Sequence, residues 1–122
     1  MGDTPEYNFI DASLWFAHAV GRYLHYSKDD QRVKQVAWPA IKVIIAGYRR
    51  GTGSAFAWMR TGLVTGGTEG CQLTWMDVKI DDWVVTPRRE AVEIQALWVR
   101  VLAVAAELAE RYAEPIALRL SP

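Results

Sequence analysis

The sequence predicts a mainly α-helical fold in which three helices are joined by one long irregular segment. Apolar residues recur at helical spacing in three stretches, at about residues 12–26, 30–50 and 88–113. Between the second and third stretches, residues 51–87 are rich in glycine and tryptophan and keep no helical period. The chain has 122 residues, 51% of them hydrophobic, which is enough for one domain with a core.

The first predicted helix begins directly after Asp11 and continues to about Tyr26. We expect the carboxylate of Asp11 to cap this helix by accepting hydrogen bonds from the free amides of the first turn. The following "SKDD" run, residues 27–30, breaks the pattern and offers new capping side chains for the next helix.

The second predicted helix, at about residues 30–50, contains Pro39, and we therefore expect an interruption near Trp38. A proline inside a helix removes one backbone hydrogen bond and clashes with the preceding turn. Pro39 is therefore expected to open the longer half of the helix. Gly51 suits the residue that ends it, because glycine is common just after a helix.

Residues 51–87 are predicted to form a long loop that carries short β pieces. "FAWM", "GLVTG" and "QLTWMD" have the composition of short strands, with turns expected at Gly66-Gly67 and Gly70. Loops of this length are uncommon unless they are functional or disordered, and the aromatic content argues against a disordered linker.

The last helix is predicted to run from about Pro87-Arg88 to about Ala113. Its apolar residues occupy almost every side, which is typical of a helix that is buried within a larger assembly. Trp98 is expected to belong to the core. Exposed apolar helices of this kind also predict a homo-oligomer as an alternative.

Charge and cysteine content limit the classes of function. Lys and Arg together equal Asp and Glu, 14 of each, so attraction to nucleic acid through its phosphates is not expected. A single cysteine, Cys71, and the absence of a signal peptide or a long apolar run indicate a cytoplasmic protein without a membrane partner. His18 and His25 have no ligand set around them, so neither a metal nor another cofactor is expected.

Four blocks of the sequence together resemble a known family. These are "YNFIDASLWFAHAVGRYL", "YRRGT", "QLTWMD" and "VTPRREAVEIQALW". They are similar to the C-terminal glucosidase domain of glycogen debranching enzymes, of the prokaryotic amylo-α-1,6-glucosidase type. The resemblance implies a fragment of an (α/α) six-hairpin toroid that hydrolyses α-1,6-linked glucose at the branch points of glycogen or another branched α-glucan. It also implies an inverting mechanism with two carboxylic acids.

The resemblance assigns the general acid to Asp77 of the "TWMD" motif, with Trp75 as a platform on which the sugar stacks. An alternative is that Asp77 only organises a turn before Val78. An inverting enzyme also needs a base, with the two carboxyl groups roughly 6.5–9.5 Å apart. None of the nearby carboxylates, Asp81, Asp82 and Glu93, matches the base motif, so this chain alone is not expected to be active.

The same resemblance places Asp11, Trp15, Arg88 and Glu93 at the sugar-binding pocket. Three of these residues have a structural alternative. Asp11 would be a helix cap, Trp15 a core residue, and Glu93 the surface partner of Arg89 four residues earlier. A non-catalytic carbohydrate-binding or self-assembling fragment therefore remains the alternative function.

Two departures from the family pattern lie near these residues. Arg60 and Thr61 stand where the family usually has acidic residues, and Arg89-Glu90 stands where it tends to have Gly-Lys. The first change removes negative charge close to a sugar-binding loop and brings substrate affinity into question.

Overall fold

A computed structural model of the chain confirms that the fold is mainly helical. It describes residues 10–51, 56–59, 61–67, 74, 78–85 and 90–116, with the backbone alone for residues 56–58, 79, 84 and 85. The helices are α1 (Ala12–Ser27), α2 (Asp30–Arg32), α3 (Trp38–Arg50) and α4 (Val92–Tyr112). A π-helical segment, Val33–Ala37, joins α2 to α3 without a break.

Helix α1 buries a single stripe of apolar side chains against the rest of the molecule. The buried positions are Leu14, Ala17, Val20 and Leu24, at the spacing of one helical face. Asp11 occupies the position before the helix, but its carboxylate accepts no capping hydrogen bond from the first turn. The prediction is therefore right about the position of Asp11 and wrong about the capping hydrogen bond, because the carboxylate is buried.

The expected interruption near Trp38 is present as the π-helical segment. The amide of Trp38 donates to the carbonyl of Val33, five residues earlier, and Pro39 lies in the first turn of α3. Pro39 has no N–H and cannot continue an α-helical ladder. The wider turn also keeps Val33 and Trp38, both almost fully buried, on the same side as Ile41 and Ile45.

Helix α4 begins at Val92 rather than near Pro87-Arg88, because the backbone of Ala91 is extended (φ −57°, ψ 132°). Its buried residues form one stripe with helical spacing: Ile94, Leu97, Trp98, Val101, Val104, Ala105 and Leu108. Val92 and Val99, on the other side of the helix, are exposed. The apolar residues of α4 therefore lie on two faces, one packed in the core and one that is exposed.

The three long helices pack side by side with a defined direction. Gly21 of α1 lies against Val104 of α4, and Asp30 just after α1 pairs with Arg111, so α1 and α4 are parallel. Helix α3 is antiparallel to α4, because Trp38 contacts Tyr112 while Tyr48 contacts Trp98. The core lies between these helices and includes Val64 from the intervening segment.

Two antiparallel hairpins lie between α3 and α4. Strand β1 (Phe56–Trp58) pairs with β2 (Val64–Gly66), and β3 (Val78–Ile80) pairs with β4 (Trp83–Val85). The second hairpin turns through Asp81-Asp82, with Asp81 at a left-handed φ of 52°. Most of "QLTWMD", together with Gly70, lies outside the described residues.

The end of the bundle opposite the hairpins is held together by polar contacts. Glu114 accepts hydrogen bonds from the Trp38 indole (2.8 Å) and from Lys42 (2.9 Å). Arg111 donates to both carboxylate oxygens of Asp30 at 3.0 Å. We call this the closed end of the bundle, comprising residues 28–42 and 107–116. Within the described ranges, no helix is both long and apolar enough to cross a membrane.

Candidate functional site

The candidate site lies at the end of the bundle where α1 and α4 begin, α3 ends and the two hairpins are attached. We call this the hairpin end, comprising residues 10–15, 48–51 and 90–98 together with the described part of 56–85. The free amides at a helix start favour nearby acidic groups. Two helices with that polarity, α1 and α4, begin here, with Asp11 and Glu93 at or within their first turns.

A buried carboxylate and a buried phenol lie close together at the start of α1. Only 5% of Asp11 and 3% of Tyr48 are exposed. The Tyr48 hydroxyl donates a hydrogen bond to the carbonyl of Ile10. Burial, followed by the negative charge of Asp11, raises the pKa of Tyr48 well above its usual range. The phenol therefore stays protonated and remains a donor at physiological pH.

Trp98 supports this arrangement from α4. Its ring stacks on that of Tyr48, with 5.4 Å between centroids and 26° between planes. The prediction that Trp98 is a core residue is confirmed, since it is 3% exposed. Among the described residues its indole nitrogen has no hydrogen-bond acceptor. A buried donor without an acceptor is uncommon in folded proteins and marks this end of the bundle as unusual.

Glu93 faces the segment that precedes the "WMD" residues. Thr74 is buried, and its hydroxyl lies 3.5 Å from a carboxylate oxygen of Glu93, at the long limit of a hydrogen bond. Because Thr74 directly precedes Trp75 in the sequence, Glu93 contacts the chain next to the predicted sugar platform. Arg89, its predicted surface partner, lies outside the described residues.

Gln95 holds the first hairpin against α4. Its side-chain amide donates to the carbonyl of Val64 (2.8 Å), and its carbonyl oxygen accepts from the Val64 amide (2.9 Å). The same nitrogen also donates to the carbonyl of Ala91 at 3.2 Å. The Gln95 side chain thus satisfies the backbone N–H and C=O of the fully buried Val64, as a neighbouring strand would do.

Trp15 lies on the surface of α1, one turn after Asp11. It is 45% exposed, and its ring meets that of His18 edge-to-face at 5.7 Å. The structural alternative of a core residue is therefore wrong. An exposed indole beside a buried carboxylate is a pairing that suits a sugar, because the ring can cover an apolar sugar face while the carboxylate accepts from hydroxyls.

The structure thus brings three of the predicted residues, Asp11, Trp15 and Glu93, to one end of the bundle. The other three, Asp77, Trp75 and Arg88, lie outside the described residues. Sequence reasoning missed Tyr48 and Gln95. Tyr48 opens the "YRRGT" block, but nothing in that block indicates that its hydroxyl would lie close to Asp11. Gln95 carried no signal, because its role depends on contact with a strand about thirty residues earlier.

Comparison with known proteins gives one positive result. No curated protein and no solved structure matches this chain. A family model described as amylo-alpha-1,6-glucosidase matches residues 1–119. This match covers nearly the whole sequence, and the chain therefore belongs to the amylo-α-1,6-glucosidase family, whose domain is a glucosidase of the glycogen-debranching type.

Proposed function

We propose that this chain supplies the general-acid side of an inverting α-1,6-glucosidase site that acts on glycogen or another branched α-glucan. The observation that carries the proposal is the family match over residues 1–119. The order of the helices supports it. Two parallel helices, α1 and α4, are separated in the sequence by the antiparallel α3, which is the alternation expected of hairpins in an (α/α) toroid.

Asp77 is the proposed general acid. It donates its proton to the departing glycosidic oxygen, so it must keep that proton near neutral pH. A base on the other side of the sugar activates water, with room for that water between the two carboxyl groups. No carboxylate in these 122 residues matches the family's base motif. We therefore assign the base to a part of the enzyme outside them.

The sugar is proposed to lie at the hairpin end, between the start of α1 and the start of α4. Asp11 and Glu93 accept hydrogen bonds from sugar hydroxyls, and Arg88 donates to them. Trp15 and Trp75 stack on the ring faces. The position of Asp11 supports this role, because it places a buried negative charge at the start of α1, close enough to Tyr48 to raise the pKa of that phenol.

The test uses the polypeptide that releases glucose from a branched dextrin, whether it is this chain or a longer one containing it. Asp77→Asn should lower kcat/KM on α-1,6-linked glucose about 10²- to 10⁴-fold, the usual contribution of general acid catalysis. The loss should be much smaller on α-glucosyl fluoride, because fluoride leaves without protonation. Asp82→Asn, in the exposed turn of the second hairpin, is the matched control.

Three results would contradict this assignment. An equal loss on both substrates would show that Asp77 does not act as a proton donor. Release of α-glucose as the first product, followed by NMR, would show retention rather than inversion. Full activity of Asp77→Asn on the dextrin would remove Asp77 from the mechanism altogether.

A second candidate function is self-assembly without catalysis, and one surface favours it. An apolar groove of about 240 Å³ lies between α1 and the π-helical segment, lined by Phe16, Tyr23 and Val36 among others. These three side chains are exposed. We propose a second copy of the chain as its occupant, since a chain with zero net charge does not repel itself.

Sedimentation equilibrium separates the two functions. If copies associate through the groove, Val36→Glu should convert a dimer to a monomer, because it places a charge in the apolar contact. Val43→Glu, on an exposed part of α3 away from the groove, should leave the dimer intact. A monomer in the unmodified chain at all concentrations would exclude self-assembly.

Sugar binding without hydrolysis is the other form of this alternative. Titration with maltose or isomaltose, followed by tryptophan fluorescence, should show a saturable change that Trp15→Ala weakens. Absence of any change in the unmodified chain would argue against a sugar-binding site at the hairpin end.

A further inference from the structure

A small polar pocket lies between α1 and α4, on the side of the bundle away from the hairpins. Its volume is about 160 Å³, and the polar side chains that line it are Arg22, His25, Lys28, Arg100, Glu107 and Arg111. Pockets that hold drug-sized molecules measure roughly 300–1,000 Å³. This one, which we call the basic pocket, therefore fits a small group and not a glucan chain.

The basic pocket carries a local excess of positive charge. Four permanent cations line it, namely Arg22, Lys28, Arg100 and Arg111. Two carboxylates, those of Glu107 and Asp30, pair with Arg111 at 3.8 and 3.0 Å. Four positive charges against two negative ones leave a surplus of two. The chain as a whole has zero net charge, so this surplus is a local feature.

Helix dipoles explain only part of this charge. A cation in the last turn of a helix is stabilised by the partial negative charge there, and the effect fades within one turn. His25 in α1 and Arg111 in α4 are the basic residues of those last turns. Arg22 and Arg100 lie earlier in their helices and are beyond the reach of that effect.

Gly21 lets Arg100 lie directly on the surface of α1. A β-carbon at position 21 would lie 3.3 Å from a guanidinium nitrogen of Arg100 and 2.8 Å from a methyl group of Val104. Arg22, the next residue, stacks its guanidinium over the Tyr26 ring at 4.8 Å and contacts the Tyr26 hydroxyl. Both arginines are thus positioned beside the same pocket.

We propose that the basic pocket binds a phosphate group, presented either as free phosphate or as a phosphate ester of a sugar. Arginine has a planar set of donors that matches phosphate oxygens, and a phosphate ester carries about −1.5 to −2 charges at pH 7. That charge balances the surplus of two. Among the described residues, neither Arg100 nor Lys28 forms an ion pair, so their donors are available to an anion.

The site is independent of the proposed catalytic site, because it lies away from the hairpin end and involves none of the sugar-binding residues. Its test is a calorimetric or NMR titration of the full chain with inorganic phosphate, glucose 6-phosphate, glucose and chloride at constant ionic strength. We expect binding of both phosphate compounds, and neither glucose nor chloride should compete with them.

Two variants localise the binding. Arg100→Gln and Lys28→Asn should each weaken phosphate binding about three- to fivefold, the upper range for one exposed charge pair. Asparagine is chosen at position 28 because the residue has a left-handed φ of 57°, which asparagine tolerates. Arg50→Gln is the matched control, because it removes one positive charge from the C-terminal end of α3, far from the basic pocket. It should change the affinity for phosphate less than twofold.

The outcomes are distinct. Loss in Arg100→Gln or Lys28→Asn but not in Arg50→Gln supports the basic pocket. Tighter binding of glucose 6-phosphate than of inorganic phosphate would identify a sugar phosphate as the ligand, and equal binding would identify the phosphate group alone. Equal weakening in all three variants, or equal displacement by chloride, would overturn the proposal. Circular dichroism of each variant distinguishes loss of the site from loss of the fold.

Discussion

Two tryptophans are buried at opposite ends of the same helical bundle, and their indole nitrogens differ in hydrogen bonding. Trp38, at the closed end, donates from its indole nitrogen to Glu114 at 2.8 Å. Trp98, at the hairpin end, stacks on Tyr48, and its indole nitrogen has no acceptor among the described residues. Both side chains are almost fully buried.

The difference separates an end that is held together by polar pairs from the end that carries the candidate sugar site. At the closed end, polar side chains pair across the bundle, as in the partly exposed Lys42–Glu114 and Asp30–Arg111 pairs. At the hairpin end, the buried carboxylate of Asp11 does not cap α1, and the Trp98 indole has no acceptor within the part of the chain that the structure describes. Proteins tend to depart from complete polar pairing where a site must meet a ligand.

The largest effect is expected from the contact that joins the first hairpin to α4. Gln95→Leu removes both hydrogen bonds to the buried backbone of Val64, and an unsatisfied buried group costs about 1–3 kcal/mol. We expect a loss of about 2–4 kcal/mol in the free energy of unfolding. Hydrogen exchange at the Val64 amide should increase more than exchange in α1.

The matched control is Gln35→Leu, at an exposed position of the π-helical segment. It should change stability by less than about 0.5 kcal/mol, as is usual for surface positions. If Gln95→Leu behaves in the same way, Gln95 does not hold the hairpin.

The two tryptophans test the comparison directly. Trp38→Phe should cost about 2 kcal/mol, because it removes ring volume and a hydrogen bond to a charged acceptor. Trp98→Phe should cost about 1 kcal/mol, since only volume is lost. Chemical denaturation of both variants measures these values. Equal costs would indicate that the Trp98 nitrogen also has a partner in the folded protein.

The smallest effect is a dependence on pH at the closed end. Hydrogen bonds from Lys42 and Trp38 lower the pKa of Glu114 below its usual value of 4.5. A carboxylate with a lowered pKa contributes stability above its unfolded pKa, and this contribution disappears as pH falls through the folded pKa. The thermal midpoint of the unmodified chain should therefore exceed that of Glu114→Gln at pH 6, and the gap should close toward pH 3.

Tyr48→Phe is the matching control from the hairpin end. The stability linked to the raised pKa of this buried tyrosine is fully present below the unfolded value of about 10, and it is lost only as pH rises above that value. This variant should therefore show no change in its acid dependence. A gap for Glu114→Gln that stays constant from pH 6 to pH 3 would contradict the assignment.

The parts of the fold that were predictable are those set by local chemistry. Apolar spacing predicted the helices, and Pro39 predicted the interruption beside Trp38, because the missing N–H is a property of one residue. The spacing of five between Val33 and Trp38 was a further signal that the wider turn would keep both inside. The "VKIDDWVV" run contained the second hairpin, with β-branched residues around a two-residue Asp turn, but it was not recognised.

The remaining features depend on distant contacts. Asp11 satisfied every local rule for a helix cap, yet its carboxylate is buried near Tyr48, 37 positions later in the sequence. Trp15 has a large apolar side chain of the kind usually found in a core, but it lies on the side of α1 that no described element covers. The start of α4 at Val92 follows from the extended backbone of Ala91, which no propensity scale would indicate.

The π-helical segment also has a consequence for how this chain can change during evolution. A π turn accommodates one more residue than an α turn over the same span, so it is where a single-codon insertion fits into an existing helix. Deleting one residue between Val33 and Trp38 would allow an ordinary α turn there, and the residues on either side would keep their faces toward the core. Homologous genes can therefore differ in length by one codon here without a change in how α1 and α4 pack.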